Sequence, residues 1–165
     1  MNIGILITSD RGARGDYEDR SGPLLRNILS DHTSWTVSHY AIVPDEIEII
    51  ANQLTSWVNE GVHLIFTCGG TGFAPRDVTP EATRRVIERE APGIAEALRA
   101  DSLRITQHAM LSRGIAGICQ QTLIINLPGS PKAIRENLHV LLPVLPHALD
   151  LLLDRAGSEN QHRTV

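Results

Sequence analysis

Four apolar runs of strand length recur along the chain: NIGILIT at 2 to 8, WTVSHYAIV at 35 to 43, HLIFTC at 63 to 68 and TLIINL at 122 to 127. Between the first three lie segments with helical apolar spacing, and that alternation leaves few folding solutions. Strands this apolar must be covered on both faces, and the intervening helices are the natural cover. An α/β fold with a mostly parallel sheet follows.

The helices carry their own punctuation. In the first crossover Pro23 stands ahead of LLRNIL as a first helical position, with Ser21 or Gly22 as the cap. The second crossover, EIEIIANQLTSWVNEG, sets Ile47, Ile50, Leu54, Trp57 and Val58 on one face and stops at Gly61. In TPEATRRVIERE, Thr79 reads as a cap with Pro80 at the first helical position; Pro92 and Gly93 then interrupt before GIAEALRADSL resumes the helical spacing. AMLSRGIAGIC, at 109 to 119, lacks that spacing and reads as a hairpin or an irregular strand. The last helix opens with Ser130 as cap and Pro131 as first residue, and buries Ile134, Leu138, Leu141, Leu145 and Leu149. Pro143 and Pro146 are expected to kink or split it.

With 165 residues, 42% of them hydrophobic, one core is the default. Residues 1–155 are expected to form a single domain, with 156–165 a flexible tail. The formal charge of -4 leaves no basic footprint for nucleic acid. Two cysteines, Cys68 and Cys119, and seven histidines form no metal-ligand spacing, so both thiols read as ordinary buried residues in a reducing compartment. The opening MNIGILITSD reads as a first strand and not a signal peptide. LHVLLPVLPHALDLLL is too interrupted to cross a bilayer. A cytoplasmic protein with no membrane partner is the expectation.

In an open parallel sheet, ligands bind beyond the carboxyl ends of the strands. Loops follow the runs at that edge: TSDRGARGDYEDRSG, VPDE, CGGTGFAPRD and LPGSPK. In the third, Gly69, Gly70 and Gly72 allow positive φ and let backbone N–H groups approach a phosphate. No G-K-[ST] follows, and Pro75 stands where the third glycine of a dinucleotide fingerprint belongs, so neither generic nucleotide motif is present. Glycine content alone supports a ligand-free turn equally well. Arg76 and Asp77 tilt the balance toward a magnesium-phosphate site, because Mg²⁺ takes one or two carboxylates plus phosphate oxygens and water. Asp45 is a candidate second carboxylate, although a charge complementing a helix N-terminus is the commoner role for such a residue. The segment holding Ser9, Asp10, Asp16, Asp19 and Ser21 is long for a loop without secondary structure, which favours a functional over a merely solvated role. The helix start at Ser130 and Pro131 offers N–H groups to an anion, beside the chain's only lysine, Lys132.

Taken together, SDR, DRSGP, GGTGFAPRDVTPEATRRVIERE, AMLSRGIAG and TLIINLPGSPKA resemble the molybdopterin adenylyltransferases: the MogA type and the corresponding G domain of gephyrin and its plant counterpart. The likeness runs from about residue 3 to residue 150. It implies a three-layer αβα sandwich assembled as a homotrimer, and an enzyme of molybdenum cofactor biosynthesis. Such an enzyme transfers AMP from Mg-ATP to the terminal phosphate of molybdopterin and releases pyrophosphate, ahead of a molybdate-insertion protein. Carried over, the resemblance implies Asp77 and Asp45 as catalytic and as the Mg²⁺ ligands. It implies Ser9, Asp10, Ser21, Gly69, Gly70, Thr71, Gly72, Arg76, Ser112, Gly129, Ser130, Pro131 and Lys132 as the nucleotide and molybdopterin site. The short stretch beyond residue 150 is nearer the compact gephyrin-like and MoaB-like forms. Two alternatives stand beside this reading: a non-catalytic molybdopterin-binding protein of MoaB-like type, and the nucleotide-processing domain of CinA-type proteins.

Overall fold

The computed structural model describes residues 1–154; the expected flexible tail over 156–165 lies outside the described residues. Six strands form one sheet: β1 (Asn2–Thr8), β2 (Thr36–Val43), β3 (Leu64–Cys68), β4 (Arg89–Glu90), β5 (Ala116–Cys119) and β6 (Thr122–Leu127). Their spatial order is β2-β1-β3-β6-β5-β4. The first four in that order run parallel, whereas β5 and β4 join antiparallel at one edge. Seven helices are described: α1 (Asp10–Ala13), α2 (Ser21–His32), α3 (Ile47–Asn59), α4 (Thr79–Val86), α5 (Pro92–Leu103), α6 (Pro131–Leu141) and α7 (Leu145–Leu152).

Alternate residues of each central strand serve opposite faces, as the pleat requires. Ile3, Ile5 and Ile7 of β1, Leu64 and Phe66 of β3, and Leu123 and Ile125 of β6 pack with Leu25 and Leu29 of α2 and with Ile134, Leu138 and Leu145 of α6 and α7. Leu6, Ile65 and Ile124 point the other way and meet Ile50, Leu54, Trp57 and Val58 of α3, with Ala82 of α4. Both faces are thus covered, and the result is a three-layer αβα sandwich. No helix among the described residues is long and apolar enough to cross a membrane. Pro143 and Pro146 do split the last helical run, between α6 and α7.

The chain leaves β1 for β2 on one side, then returns past β1 to place β3 on the other. The carboxyl ends of β1 and β3 therefore diverge into loops that lead in opposite directions. This is a topological switch point, where an open α/β sheet leaves a crevice. In register, Ile7 stands beside Cys68, and Cys68 beside Leu127, so three of the loops singled out from the sequence leave the sheet at one level.

Local expectations failed where tertiary contacts offered a better partner. Helix α2 begins at Ser21, and its cap is neither Ser21 nor Gly22: the Asp19 carboxylate accepts the N–H groups of both, at 2.9 and 3.0 Å. Thr79 lies inside α4; its hydroxyl, fully buried, donates to Thr8 Oγ1 at 2.9 Å. Ser130 occupies the cap position of α6 but makes no side-chain cap bond. The helical spacing expected to run to Glu90 stops at Val86, because Ile87 turns extended and Arg89 and Glu90 pair with β5 as an added strand. The segment 109–119 begins with a 3₁₀ turn (Gln107–Leu111) and becomes β5, which hairpins into β6 through Gln120 at φ 51°. The first loop also holds one short helix, α1, and is not wholly irregular.

Candidate active site at the sheet switch point

At the end of β1, Ser9 donates its N–H to the Val43 carbonyl at the end of β2, and its hydroxyl caps α1 by accepting from Gly12 N–H at 3.1 Å. That cap places Asp10 opposite Asp45. The two are reciprocally tied: Asp10 N–H donates to Asp45 Oδ2 at 2.8 Å, and Asp45 N–H donates to Asp10 Oδ1 at 3.1 Å. Arg76 closes on Asp10 with both arms of its guanidinium at 2.9 Å. This hydrogen bond, working against partial burial, holds the Asp10 carboxyl below its usual range.

Asp45 has no such cation. Its Oδ1 is buried and has no hydrogen-bond partner. Burial raises its carboxyl above the ordinary value, opposed first by the Asp10 N–H hydrogen bond, reinforced by the negative charges of Asp10 and Asp77, and opposed more weakly by Arg76. Asp45 and Asp77 line the same open pocket, of about 390 Å³, with Thr8, Ser9, Asp10, Arg11, Arg14 and Gly70. A buried carboxylate oxygen without a donor, on a pocket that a second carboxylate also lines, is an arrangement that a divalent cation satisfies. Asp45 and Asp77 therefore fit a magnesium ion completed by phosphate oxygens and water. No group of three or more His, Cys, Asp or Glu that could hold a metal occurs among the described residues.

The glycine turn is tighter than its sequence implied. Gly69 and Gly70 have φ of 107° and 59°, whereas Gly72 does not adopt positive φ. Gly72 is small for another reason: a Cβ there would stand 2.9 Å from Asp77 Oδ2. Nor do all the turn's N–H groups face a ligand, since Gly69 N–H donates to the Leu127 carbonyl. The N–H groups of Gly70, Thr71 and Gly72 meet no acceptor among the described residues. Asp77 Oδ2 in turn accepts the Ala74 N–H at 2.9 Å, which fixes the carboxylate against its own loop.

Two other cavities are lined by residues singled out from the sequence. One, about 250 Å³, is lined by Ser9, Arg11, Tyr17, Ser21, Gly69 and Gly129, among others. Ser21 Oγ donates to the Gly129 carbonyl at 2.8 Å and joins the first loop to the last. Cys68 also lines it; both cysteines are buried, as the sequence implied, and burial raises the Cys68 thiol far above the ordinary range and raises Cys119 too, so both stay protonated. The other cavity, about 280 Å³ and more apolar, is lined by Thr71, Gly72, Ser112 and Asn126 beside α5 and α6. Asn126 is buried there, donating to the hydroxyls of Thr67 and Thr83 at 2.9 Å and accepting the Ile115 N–H at 3.2 Å.

Of the residues singled out from the sequence, Ser9, Asp10, Asp45, Gly70 and Asp77 meet in the carboxylate pocket, Ser21, Gly69 and Gly129 in the smaller cavity, and Thr71, Gly72 and Ser112 in the apolar one. Arg76 is committed to Asp10. Ser130, Pro131 and Lys132 border none of the three; the Lys132 ammonium stands 3.9 Å from Glu136 instead. Sequence reasoning missed Arg113. Its guanidinium donates to the Gly72 carbonyl at 2.7 Å, to the Asp77 carbonyl and to the Glu81 carboxylate, while its N–H donates to the Thr71 carbonyl at 2.9 Å. Its only signal was an arginine among the small residues of LSRGIAG.

Residues 4–147 match the model of a family described as "Probable molybdopterin binding domain". The chain belongs to this family. Among its relatives, a molybdopterin adenylyltransferase of Helicobacter pylori is 44% identical over 98% of this chain and 93% of its own. Gephyrin of Dictyostelium discoideum is 49% identical over 98% of this chain, which spans only 24% of that longer protein. The crystal structure of the molybdopterin biosynthesis enzyme MoaB from Thermus thermophilus superposes with a TM-score of 0.88, at 50% identity over 93% of this chain and 97% of that one. The solved relative thus shares the sandwich described above.

Proposed function

We propose that this chain transfers AMP from ATP to the terminal phosphate of molybdopterin, releasing pyrophosphate. One observation carries the reading: Asp45 and Asp77 line one pocket at the switch point, with an unpartnered buried oxygen on Asp45. The adenylyltransferase relative, at 44% identity over nearly the full chain, supports it.

The nucleoside occupies the cavity beside Ser9, Gly69 and Gly129, and the triphosphate extends past Arg11 and Arg14 into the carboxylate pocket. The pterin enters the apolar cavity at Ser112 and Asn126. Gly70, Thr71 and Gly72, lying between the two, offer their unpaired N–H groups to phosphate oxygens. A terminal-phosphate oxygen of molybdopterin forms a bond to the α-phosphorus of ATP as the bond from that phosphorus to the bridging β-oxygen breaks. The electron pair leaves with pyrophosphate. No general base is needed, since the attacking phosphate is already ionised at neutral pH, and the protein's contribution is alignment and charge compensation. A magnesium ion held by Asp45 and Asp77 would supply neutralisation of the phosphate charge. Assembly as a homotrimer and delivery of the product to a molybdate-insertion protein belong to the same reading.

The test is Asp77→Asn, assayed for ATP-dependent product by mass analysis after mixing with molybdopterin and Mg-ATP. The variant should keep molybdopterin binding and lose most turnover. An unchanged rate of pyrophosphate release would overturn the assignment. Wild-type protein that binds molybdopterin yet forms no adenylylated product would reduce the reading to a binding protein.

A further inference from the structure

Arg113 reaches from the segment between the 3₁₀ turn and β5 across to the loop that carries Asp77. Its guanidinium Nε donates to the Gly72 carbonyl, one terminal nitrogen to the Asp77 carbonyl and the other to Glu81 at the start of α4. Those two carbonyls mark the two ends of the Gly72–Asp77 excursion. The Arg113 backbone N–H adds a bond to Thr71, just ahead of it. Two of the three side-chain nitrogens therefore hold the ends of one short loop and the third ties it to α4, and none of the three acceptors is a ligand. Burial works against the charge on Glu81, yet the Arg113 hydrogen bond and charge hold its carboxyl below the usual range, so Glu81 meets the guanidinium as a carboxylate at neutral pH.

The loop so held borders both halves of the site. Thr71 and Gly72 line the apolar cavity, as does Ser112, the immediate neighbour of Arg113. Asp77 lines the carboxylate pocket. Asp77 also packs tightly against Gly72, where even a Cβ would come within 2.9 Å of Oδ2. Asp77 Oδ2 also accepts the Ala74 N–H within the same loop, so the carboxylate is tied to the segment whose two ends Arg113 holds.

We propose that Arg113 is a positioning residue that fixes the Asp77 carboxylate and sets its register against the apolar cavity. The proposal deepens the adenylyl-transfer reading and rests on it for its kinetic readout. Lysine keeps the charge but carries its three donors on one nitrogen, and cannot reproduce the spread of the guanidinium fork over two carbonyls and a carboxylate.

The experiment compares wild type, Arg113→Lys, Asp77→Asn and the double variant, each corrected for its folded fraction by thermal unfolding. Three quantities are measured: kcat, KM for molybdopterin, and Mn²⁺ affinity of the protein with ATP, by electron paramagnetic resonance. Because a misplacement of about 1 Å can cost on the order of 100-fold in rate, Arg113→Lys should lower kcat by about 10- to 100-fold and weaken Mn²⁺ binding. The KM for molybdopterin should stay within about threefold. Adding Arg113→Lys to Asp77→Asn should produce no further loss, since both act through one carboxylate. A kcat per folded molecule equal to wild type, or losses that multiply in the double variant, would overturn the proposal. Should wild type form no ATP-dependent product, the adenylyl-transfer reading falls separately. Arg113 is then judged on Mn²⁺ affinity alone: unchanged by the lysine variant, it refutes the positioning role, and weakened to the level of Asp77→Asn, it sustains it.

Discussion

Replacing Gly70 by alanine tests whether the floor of the carboxylate pocket is as rigid as its hydrogen bonds imply. Gly70 has φ of 59°, in the left-handed region, where an L-residue costs roughly 1–2 kcal/mol more than glycine. A Cβ there would stand 2.3 Å from Thr79 Oγ1, 3.1 Å from Asp45 Oδ1 and 3.2 Å from Thr8 Oγ1. Thr79 is fully buried and Thr8 is 4% exposed, so neither hydroxyl can retreat into water. Breaking their mutual bond adds about 1–3 kcal/mol, the cost of leaving a buried polar group unpaired. The expected loss is therefore about 2–5 kcal/mol. Gly61, at φ 76° with nothing within 4 Å of its Cβ position, supplies the control. Gly61→Ala bears the backbone cost alone, roughly 1–2 kcal/mol. Urea unfolding at matched protein concentration, followed by the fluorescence of Trp35 and the buried Trp57, measures both. Equal losses in the two variants would show that the turn relaxes freely around a methyl group, and the picture of a rigid seat beneath Asp45 would be wrong.

Two further outcomes are expected. Asn126→Leu removes the acceptor for Ile115 N–H and the donor to the Thr67 and Thr83 hydroxyls; stability should fall by roughly 2–4 kcal/mol in urea, and molybdopterin affinity should fall with it because the side chain lines the apolar cavity. Glu81 is depressed below its unfolded value of 4.5 in the folded state. Its contribution is therefore fully present above that pH and is lost as pH falls through the lower folded value. Wild type should lose stability between pH 6 and pH 3 more steeply than Glu81→Gln, and parallel curves would show that the Arg113 contact contributes nothing.

Much of the architecture was legible because it rests on local periodicity. The runs at 2 to 8, 63 to 68 and 122 to 127 are each entirely or almost entirely buried as strands, and the apolar positions of 47 to 58 packed on one face as spaced. The antiparallel edge was not legible in the same way. Arg89 and Glu90 carry helical spacing yet form a strand, because Ile87 is drawn against β5, where a Cβ on Gly117 would clash with it. Caps were legible only in part: Ser130 takes the cap position of α6 as read but makes no side-chain cap bond, whereas Thr79 lies inside α4 with its hydroxyl given to Thr8.

The sequence by itself determined the layers, and it determined which segments emerge at the carboxyl edge of the sheet. Side-chain hydrophobicity at periods of two and near four decides those features residue by residue, with no knowledge of distant partners. Only the tertiary structure decided how the charges were shared: Asp10 to Arg76, 66 residues away, Asp45 left without a cation, and Arg113 given to the Asp77 loop. Hydrogen bonds and ion pairs act through space over a few ångströms and carry no sequence period, so their partners are set only when the sheet has brought its loops together.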